Sequence, residues 1–292
     1  MILHMKFHST TSIQLTKEQQ NRNIWLTIII GLIIVFVAQG ISILPGTYIK
    51  NTGVQEVYNL FANLFVILIV ILFCKFFQKR TLSSLGFKDK YIISKIFTGI
   101  ILSITFLMTV LLVNLLAGSV ELTSNLTAVN LVYVLAAFLA YFPQGLMEEI
   151  VCRGFIMNSL SAKYNVWIGL IVNSLIFAIL HGINPDTTPL ALFNLFLAGM
   201  LLSTIFCLTD NILFVGAFHA VWNFMLGPVF GVKVSGLSVY SSLFKTTLLP
   251  EQSLINGGNF GFEGGLGLTI SIFIAFTIIF LFIKIRDKQT KN

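Results

Sequence analysis

Eight apolar runs, each long enough to cross a lipid bilayer, follow one another along the chain. They lie at 24–44, 55–74, 96–117, 129–147 (with helical continuation towards 160), 166–182, 189–209, 212–228 and 265–285. A membrane-spanning helix needs about 20 predominantly apolar residues. Inside lipid, only helices and closed barrels satisfy every backbone polar group. The sequence therefore predicts an all-α, polytopic membrane bundle of about eight transmembrane helices.

The composition also indicates that lipid is the solvent. Of the 292 residues, 56% are hydrophobic and 10% are charged, whereas a soluble domain carries about 25% charged residues. The net charge of +7 does not indicate nucleic-acid binding, because the basic residues are scattered and no nucleic-acid-binding motif accompanies them. The three cysteines, Cys74, Cys152 and Cys207, form no CxxC pair and predict no disulfide framework.

The distribution of lysine and arginine predicts the orientation. With the N-terminus in the cytoplasm, 15 of the 18 basic residues fall on inner segments, and the outer loops keep Lys50, Lys233 and Lys245. Cytoplasmic loops of membrane proteins carry such an excess. We therefore expect a cytoplasmic N-terminal segment at 1–23, one membrane domain at 24–286 and a cytoplasmic tail at 287–292.

Three clusters of polar residues interrupt the apolar runs. They are Glu148-Glu149 with Arg153, Phe177 with His181, and His219 with Asn223. A charged side chain at membrane depth costs about 2.5–3.5 kcal/mol on insertion scales, and such residues are functional candidates. Carboxylates and imidazoles are also the groups of acid–base chemistry. The clusters therefore indicate a membrane enzyme.

The two adjacent glutamates are expected to play different parts. Glu149 and Arg153 are four residues apart and share one helix face, which favours an ion pair. Glu148 points about 100° away from Glu149 and is left free to act as a general base. The alternative is that both glutamates and Arg153 form one buried packing network.

The histidines follow on the next helices. Glu148 and His181 both stand roughly 22–27 Å from the turn near 161–165, at similar depth. Phe177, four residues before His181, is expected to pack against the imidazole and fix its rotamer.

His219 and Asn223 project from one face of a later helix. They can donate two hydrogen bonds to a developing oxyanion, or the histidine can bind a metal. Alternatively, the pair only holds helices together by hydrogen bonds.

Other catalytic patterns are missing from the sequence. The chain has no HExxH, no GxSxG and no Walker motif. A carboxylate base with nearby polar donors suits the activation of water against a carbonyl group. The residues thus favour hydrolysis of a peptide or an ester.

The three ordered motifs, EExxxR at 148–153, FxxxH at 177–181 and HxxxN at 219–223, resemble the CPBP family. That family holds type II CAAX prenyl endopeptidases and the ABI group of bacteriocin-processing or immunity-associated proteins. The stretches Leu85-Gly86, Leu197-Ala198-Gly199 and the glycine-rich loop 257–264 also look like bacterial members. The resemblance implies a bacterial plasma membrane protein with a catalytic core at about 129–285.

The resemblance also implies a role for each motif position. It implies a glutamate-type intramembrane endopeptidase in which Glu148 activates water, His181 assists, and His219 and Asn223 line the oxyanion hole. Glu149 and Arg153 would support the site. The expected partners are the bilayer and a membrane protein or peptide substrate. No oligomeric state is predicted.

Three other hypotheses stay open at this point. The protease could use zinc bound by Glu148, His181 and His219, whereas the glutamate mechanism requires no cofactor. The same polar cavity could bind a peptide or partner without cleaving it, as an immunity or regulatory protein does. A transporter is disfavoured because the sequence has no internal repeat.

Overall fold

The computed structural model describes residues 9–20, 23–88 and 90–289. Most of these residues are helical. The α-helices are α1 (Thr11–Gln19), α2 (Ile24–Ile43), α3 (Thr52–Phe61), α4 (Asn63–Leu72), α5 (Ile92–Leu116), α6 (Ala128–Glu149), α7 (Asn158–Lys163), α8 (Val166–His181), α9 (Pro189–Thr209), α10 (Ile212–Phe224), α11 (Ser253–Asn256) and α12 (Leu266–Gln289). The predicted helical bundle is confirmed.

Seven helical segments in the described part of the chain are long and apolar enough to cross a membrane. They are Ile24–Tyr48, Thr52–Phe77, Ile92–Leu116, Val129–Lys163, Pro189–Thr209, Ile212–Val229 and Leu266–Arg286. The remaining predicted span, 166–182, corresponds to α8, which is apolar but only 16 residues long. The chain is a multi-pass membrane protein, and its exposed apolar side chains are those a bilayer would cover.

A small antiparallel sheet adds to the helical fold. Strand β1 (Val120–Ser124) pairs with β2 (Phe244–Leu248), with Val120 opposite Leu248 and Ser124 opposite Phe244. Both strands lie in segments between the predicted apolar runs. Each strand has only five residues, and helices α6 to α10 lie between the two strands in the chain. The local sequence pattern therefore gives little indication that they pair.

The segment from α6 to α7 runs helically through the first polar cluster. Residues Ile150–Met157 form a π-helical stretch between these helices, and Pro143 lies inside α6. The expected continuation of the fourth apolar run towards residue 160 is therefore present. π-Helical turns often occur at functional sites because they rotate side chains relative to a regular helix.

The N-terminal segment is anchored to the bundle through α1. Ser12 Oγ donates to Asp210 Oδ1 over 2.5 Å, and Thr16 accepts a hydrogen bond of 2.9 Å from Arg80. Arg80 is fully buried, and burial lowers its pKa to about 10. Its guanidinium also donates to the Ser84 and Gly154 carbonyl oxygens, so the positive charge is well solvated by protein dipoles.

Helices α6 and α10 approach each other closely at Gly145. A Cβ atom added to Gly145 would lie 2.5 Å from the backbone nitrogen of Ala220. Small residues permit such backbone contact between membrane helices. This approach brings the end of α6, which carries the two glutamates, alongside α10 and His219.

We expect Gly145→Ala to lower the thermal unfolding temperature of the purified protein, because overpacking typically costs 1–3 kcal/mol. Gly40→Ala is the matched control, since a Cβ atom at Gly40 would meet nothing within 4 Å. An alanine there gains up to about 1 kcal/mol of helix propensity. Equal unfolding temperatures for the two variants would contradict the proposed close contact.

Candidate active site

Three helices bring one carboxylate and two imidazoles together. Glu148 at the end of α6 has its Oε2 atom 3.8 Å from His181 Nε2 on α8 and 3.7 Å from His219 Nε2 on α10. Oε2 accepts no hydrogen bond from any described residue. These gaps exceed a direct hydrogen bond and are distances that a bridging water can span.

The second glutamate lies in a buried ionic network. Glu149 Oε1 accepts a hydrogen bond of 2.8 Å from Arg153 and one of 2.7 Å from His219 Nδ1. Both Glu149 and Arg153 are completely buried. Arg153 also donates to the carbonyl oxygen of Gly199 on α9 over 3.0 Å. The expected ion pair between Glu149 and Arg153 is present, and it links α6 to α9 and α10.

The outer partners of the histidines set the position of their protons. His181 Nδ1 lies 2.8 Å from the carbonyl oxygen of Phe177, which can only accept a hydrogen bond. His219 Nδ1 faces a carboxylate oxygen that also accepts from Arg153. Each imidazole therefore carries a proton on Nδ1, and each presents Nε2 to Glu148.

Phe177 lies between the two imidazoles and the buried arginine. Its ring centroid is 4.4 Å from that of His181 and 6.1 Å from that of His219. The Arg153 guanidinium lies 5.1 Å from the same ring. The expected packing of Phe177 on His181 is present, and its backbone carbonyl adds the hydrogen bond that orients the imidazole.

Gln144 joins two predicted site residues and was not found in the sequence analysis. Its Nε2 donates to Glu148 Oε1, and its Oε1 accepts a hydrogen bond of 2.9 Å from Asn223 Nδ2. One signal for it was available: Gln144 lies four residues before Glu148, on the same face of an apolar helix. With Oε1 bound to Gln144, Oε2 is the carboxylate oxygen that faces the imidazoles.

Glu148 and its neighbours form part of the wall of a cavity of about 670 Å³. Residues from α2, α3, α6, α8 and the 234–239 segment surround it. Glu148 and His181 side chains keep 20% and 19% of their surface exposed, whereas Glu149 keeps none. The volume falls within the range of small-ligand sites, and Glu148 is one of the residues that line it.

A second buried carboxylate, Glu263, holds the outer loop against α10. Its Oε1 accepts a hydrogen bond of 3.1 Å from Trp222 Nε1, and its Oε2 accepts from the backbone and hydroxyl of Ser235. Trp222 precedes Asn223 in sequence, so this network fixes the loop beside the site. No sequence motif indicates a role for Glu263, which lies among glycines in a loop.

The described residues contain no group of three or more His, Cys, Asp or Glu side chains arranged to hold a metal ion. Glu148 Oε2 nevertheless lies 3.8 Å from His181 Nε2 and 3.7 Å from His219 Nε2. Their Nδ1 hydrogen bonds are of the kind that orient metal-binding histidines. The donors therefore suit either a water molecule or a zinc ion. Cys152 lines the cavity as a free thiol.

The fold and the polar site define a polytopic helical membrane protein with a cluster of carboxylates and imidazoles inside the bundle. Residues 128–225 match the family described as Type II CAAX prenyl endopeptidase Rce1-like. The matched segment contains all three motifs, and the resemblance to type II CAAX prenyl endopeptidases is confirmed. The family is a protease family, so the match supports a membrane protease. No curated protein and no solved structure matches the chain.

We expect Arg153→Met to destabilise the protein strongly, because it leaves the Glu149 carboxylate buried without its cation. Removing one partner of a buried ion pair typically costs about 3–5 kcal/mol. Lys233→Met is the matched control, since Lys233 pairs with Asp186 while both stay more than a third exposed. Such surface pairs contribute about 0–1 kcal/mol. Thermal unfolding in detergent measures both variants, and similar losses would contradict a structural role for Arg153.

Proposed function

We propose that the protein is an intramembrane endopeptidase that hydrolyses a peptide bond of a membrane-associated protein or peptide, with Glu148 as the base. The observation that carries this proposal is the convergence of two imidazole Nε2 atoms on one free carboxylate oxygen at a cavity wall. The family match adds independent support for proteolysis.

In the proposed reaction, Glu148 Oε2 takes a proton from water while the water oxygen attacks the peptide carbonyl carbon. His181 Nε2, whose lone pair is free because Nδ1 donates to Phe177, helps to orient that water. The tetrahedral intermediate then breaks its carbon–nitrogen bond, and the proton on Glu148 passes to the leaving amine. General acid–base catalysis of this kind contributes about 10²–10⁴-fold.

Asn223 and His219 are the proposed donors to the oxyanion. Asn223 Nδ2 has one hydrogen bonded to Gln144 and a second one left to donate. His219 already donates from Nδ1 to Glu149, so its Nε2 can donate only in the imidazolium form.

We expect Glu148→Gln to reduce cleavage by at least about 10²-fold, because the amide cannot accept the proton from water. The protein should remain folded, since Gln keeps the shape and can still bond to Gln144. Glu121→Gln is the matched control, because Glu121 is exposed in β1. Quantitative profiling of new N-termini in membranes and medium measures the effect. Cleavage that persists undiminished in the Glu148 variant would exclude this residue as the base.

The glutamate mechanism proposed here requires no metal. Zinc bound by Glu148, His181 and His219 is the competing proposal, in which the metal would polarise water and substrate.

We expect purified enzyme to keep full activity after chelation, with zinc content far below one ion per chain by elemental analysis. Glu148 would then supply the base by itself. Loss of activity on chelation, restored by stoichiometric zinc, would replace this mechanism with the metal-dependent one.

A non-catalytic role is the second candidate function. The cavity wall combines apolar side chains with the amides of Gln39, Gln55, Asn59 and Gln144, which suits binding of an extended peptide. An immunity or regulatory protein would use this cavity without hydrolysis. It would keep its phenotype in the Glu148→Gln variant, whereas a protease would lose it.

We further propose that the protein resides in a bacterial plasma membrane and takes part in bacteriocin-related processing. This proposal extends the resemblance of the glycine-rich loop and the motifs to bacterial members. Membrane fractionation and the identity of the cleaved peptides test it.

A further inference from the structure

The two ends of the helical bundle differ in charge. Trp25 donates to Tyr164, and Lys88 pairs with Asp210, so the loops near 25, 88, 164 and 210 lie at one end. We call this the basic end. The described basic residues of the segments that reach it are Lys17, Lys75, Lys79, Arg80, Lys88, Lys90, Lys95, Lys163, Lys284 and Arg286.

The opposite end, here called the sheet end, carries the strand pair and the long loop. Glu56 accepts from the backbone N–H of Tyr240, and Asn184 donates to the carbonyl oxygen of Ser235. These contacts gather the start of α3, the end of α8 and the 230–264 loop, and Asn130 at the start of α6 donates to the carbonyl oxygen of Ser242 in the same loop. The basic residues of the described loops there are Lys50, Lys233 and Lys245.

The basic end is the one expected in the cytoplasm, because an excess of Lys and Arg in short flanking loops sets the orientation of membrane helices. The active-site cavity belongs to the other end. His181 is the last residue of α8, on the side away from the basic end. Ile183 and Leu237 line the cavity and are 83% and 53% exposed. They mark an opening at the sheet end.

The charge of the cavity wall adds a second constraint. The described lining residues include the carboxylates of Glu56 and Glu148 and contain no Lys or Arg. A wall of this charge offers no cation to a C-terminal carboxylate, which Arg and Lys bind best. It suits the interior of a neutral or basic peptide segment.

We propose that the cavity opens on the side of the membrane away from the cytoplasm, and that its substrate is an internal segment of an exported or membrane-spanning polypeptide. The substrate class rests on the proposed proteolytic function. The side on which the cavity opens rests on the difference in charge between the two ends of the bundle. The C-terminus of a cytoplasmic protein would lie on the opposite side of the membrane from this opening. Its carboxylate would also face a cavity wall that has carboxylates and no Lys or Arg.

Cysteine labelling in intact cells tests the direction. Single cysteines are placed by Thr247→Cys in β2, Ser238→Cys at the cavity and Ser83→Cys at the basic end, with Cys74, Cys152 and Cys207 replaced by Ala. All three positions are exposed. We expect a membrane-impermeant maleimide to label the variants at 247 and 238 in intact cells and the variant at 83 only after permeabilisation. The reverse pattern would overturn the proposal.

The positions of cleaved bonds test the substrate class. Comparison of new N-termini between the natural chain and Glu148→Gln should yield internal sites in segments on the non-cytoplasmic side. Sites near the C-termini of cytoplasmic proteins would refute the assignment. Identical profiles for the two proteins would instead refute proteolysis and with it the substrate, while the labelling would still decide which side the cavity faces.

Discussion

The arrangement of the site depends on one buried carboxylate oxygen, Glu149 Oε1, which accepts hydrogen bonds from both Arg153 and His219. Because a buried charge is costly without a partner, the helices that carry these groups cannot separate without a large penalty. Arg153 extends the link to the Gly199 carbonyl on α9. The network thereby fixes α6, α9 and α10 relative to one another, and Glu148 takes its position from α6.

The two adjacent glutamates, Glu148 and Glu149, lie in different environments. A rotation of about 100° per residue turns Glu149 into the protein interior and Glu148 towards the cavity, which agrees with exposed fractions of 0% and 20%. Gln144 then occupies one oxygen of Glu148 and leaves the other beside the imidazoles. The same helix thus carries the carboxylate of the buried ion pair and, one residue earlier, the carboxylate proposed as the base.

Two carboxylates from distant parts of the chain, Glu56 and Glu263, hold the 230–264 loop in place beside the cavity. Glu56 accepts from the Tyr133 hydroxyl over 2.6 Å and from the Tyr240 backbone over 2.7 Å. Glu263 joins Trp222 to Ser235. These bonds tie a long, glycine-rich loop to α3, α6 and α10. The loop can therefore form one side of a defined cavity despite having little regular structure of its own.

The sequence by itself determined the membrane helices, the pairing of Glu149 with Arg153 and the packing of Phe177 on His181. These features depend on composition and on spacings of four residues along one helix, which are local properties. Only the tertiary structure decided that Gln144 bridges Glu148 to Asn223, that α1 packs on the basic end, and that β1 pairs with β2. Those contacts join helix faces or strands from separate parts of the fold, and their geometry exists only once the helices have packed.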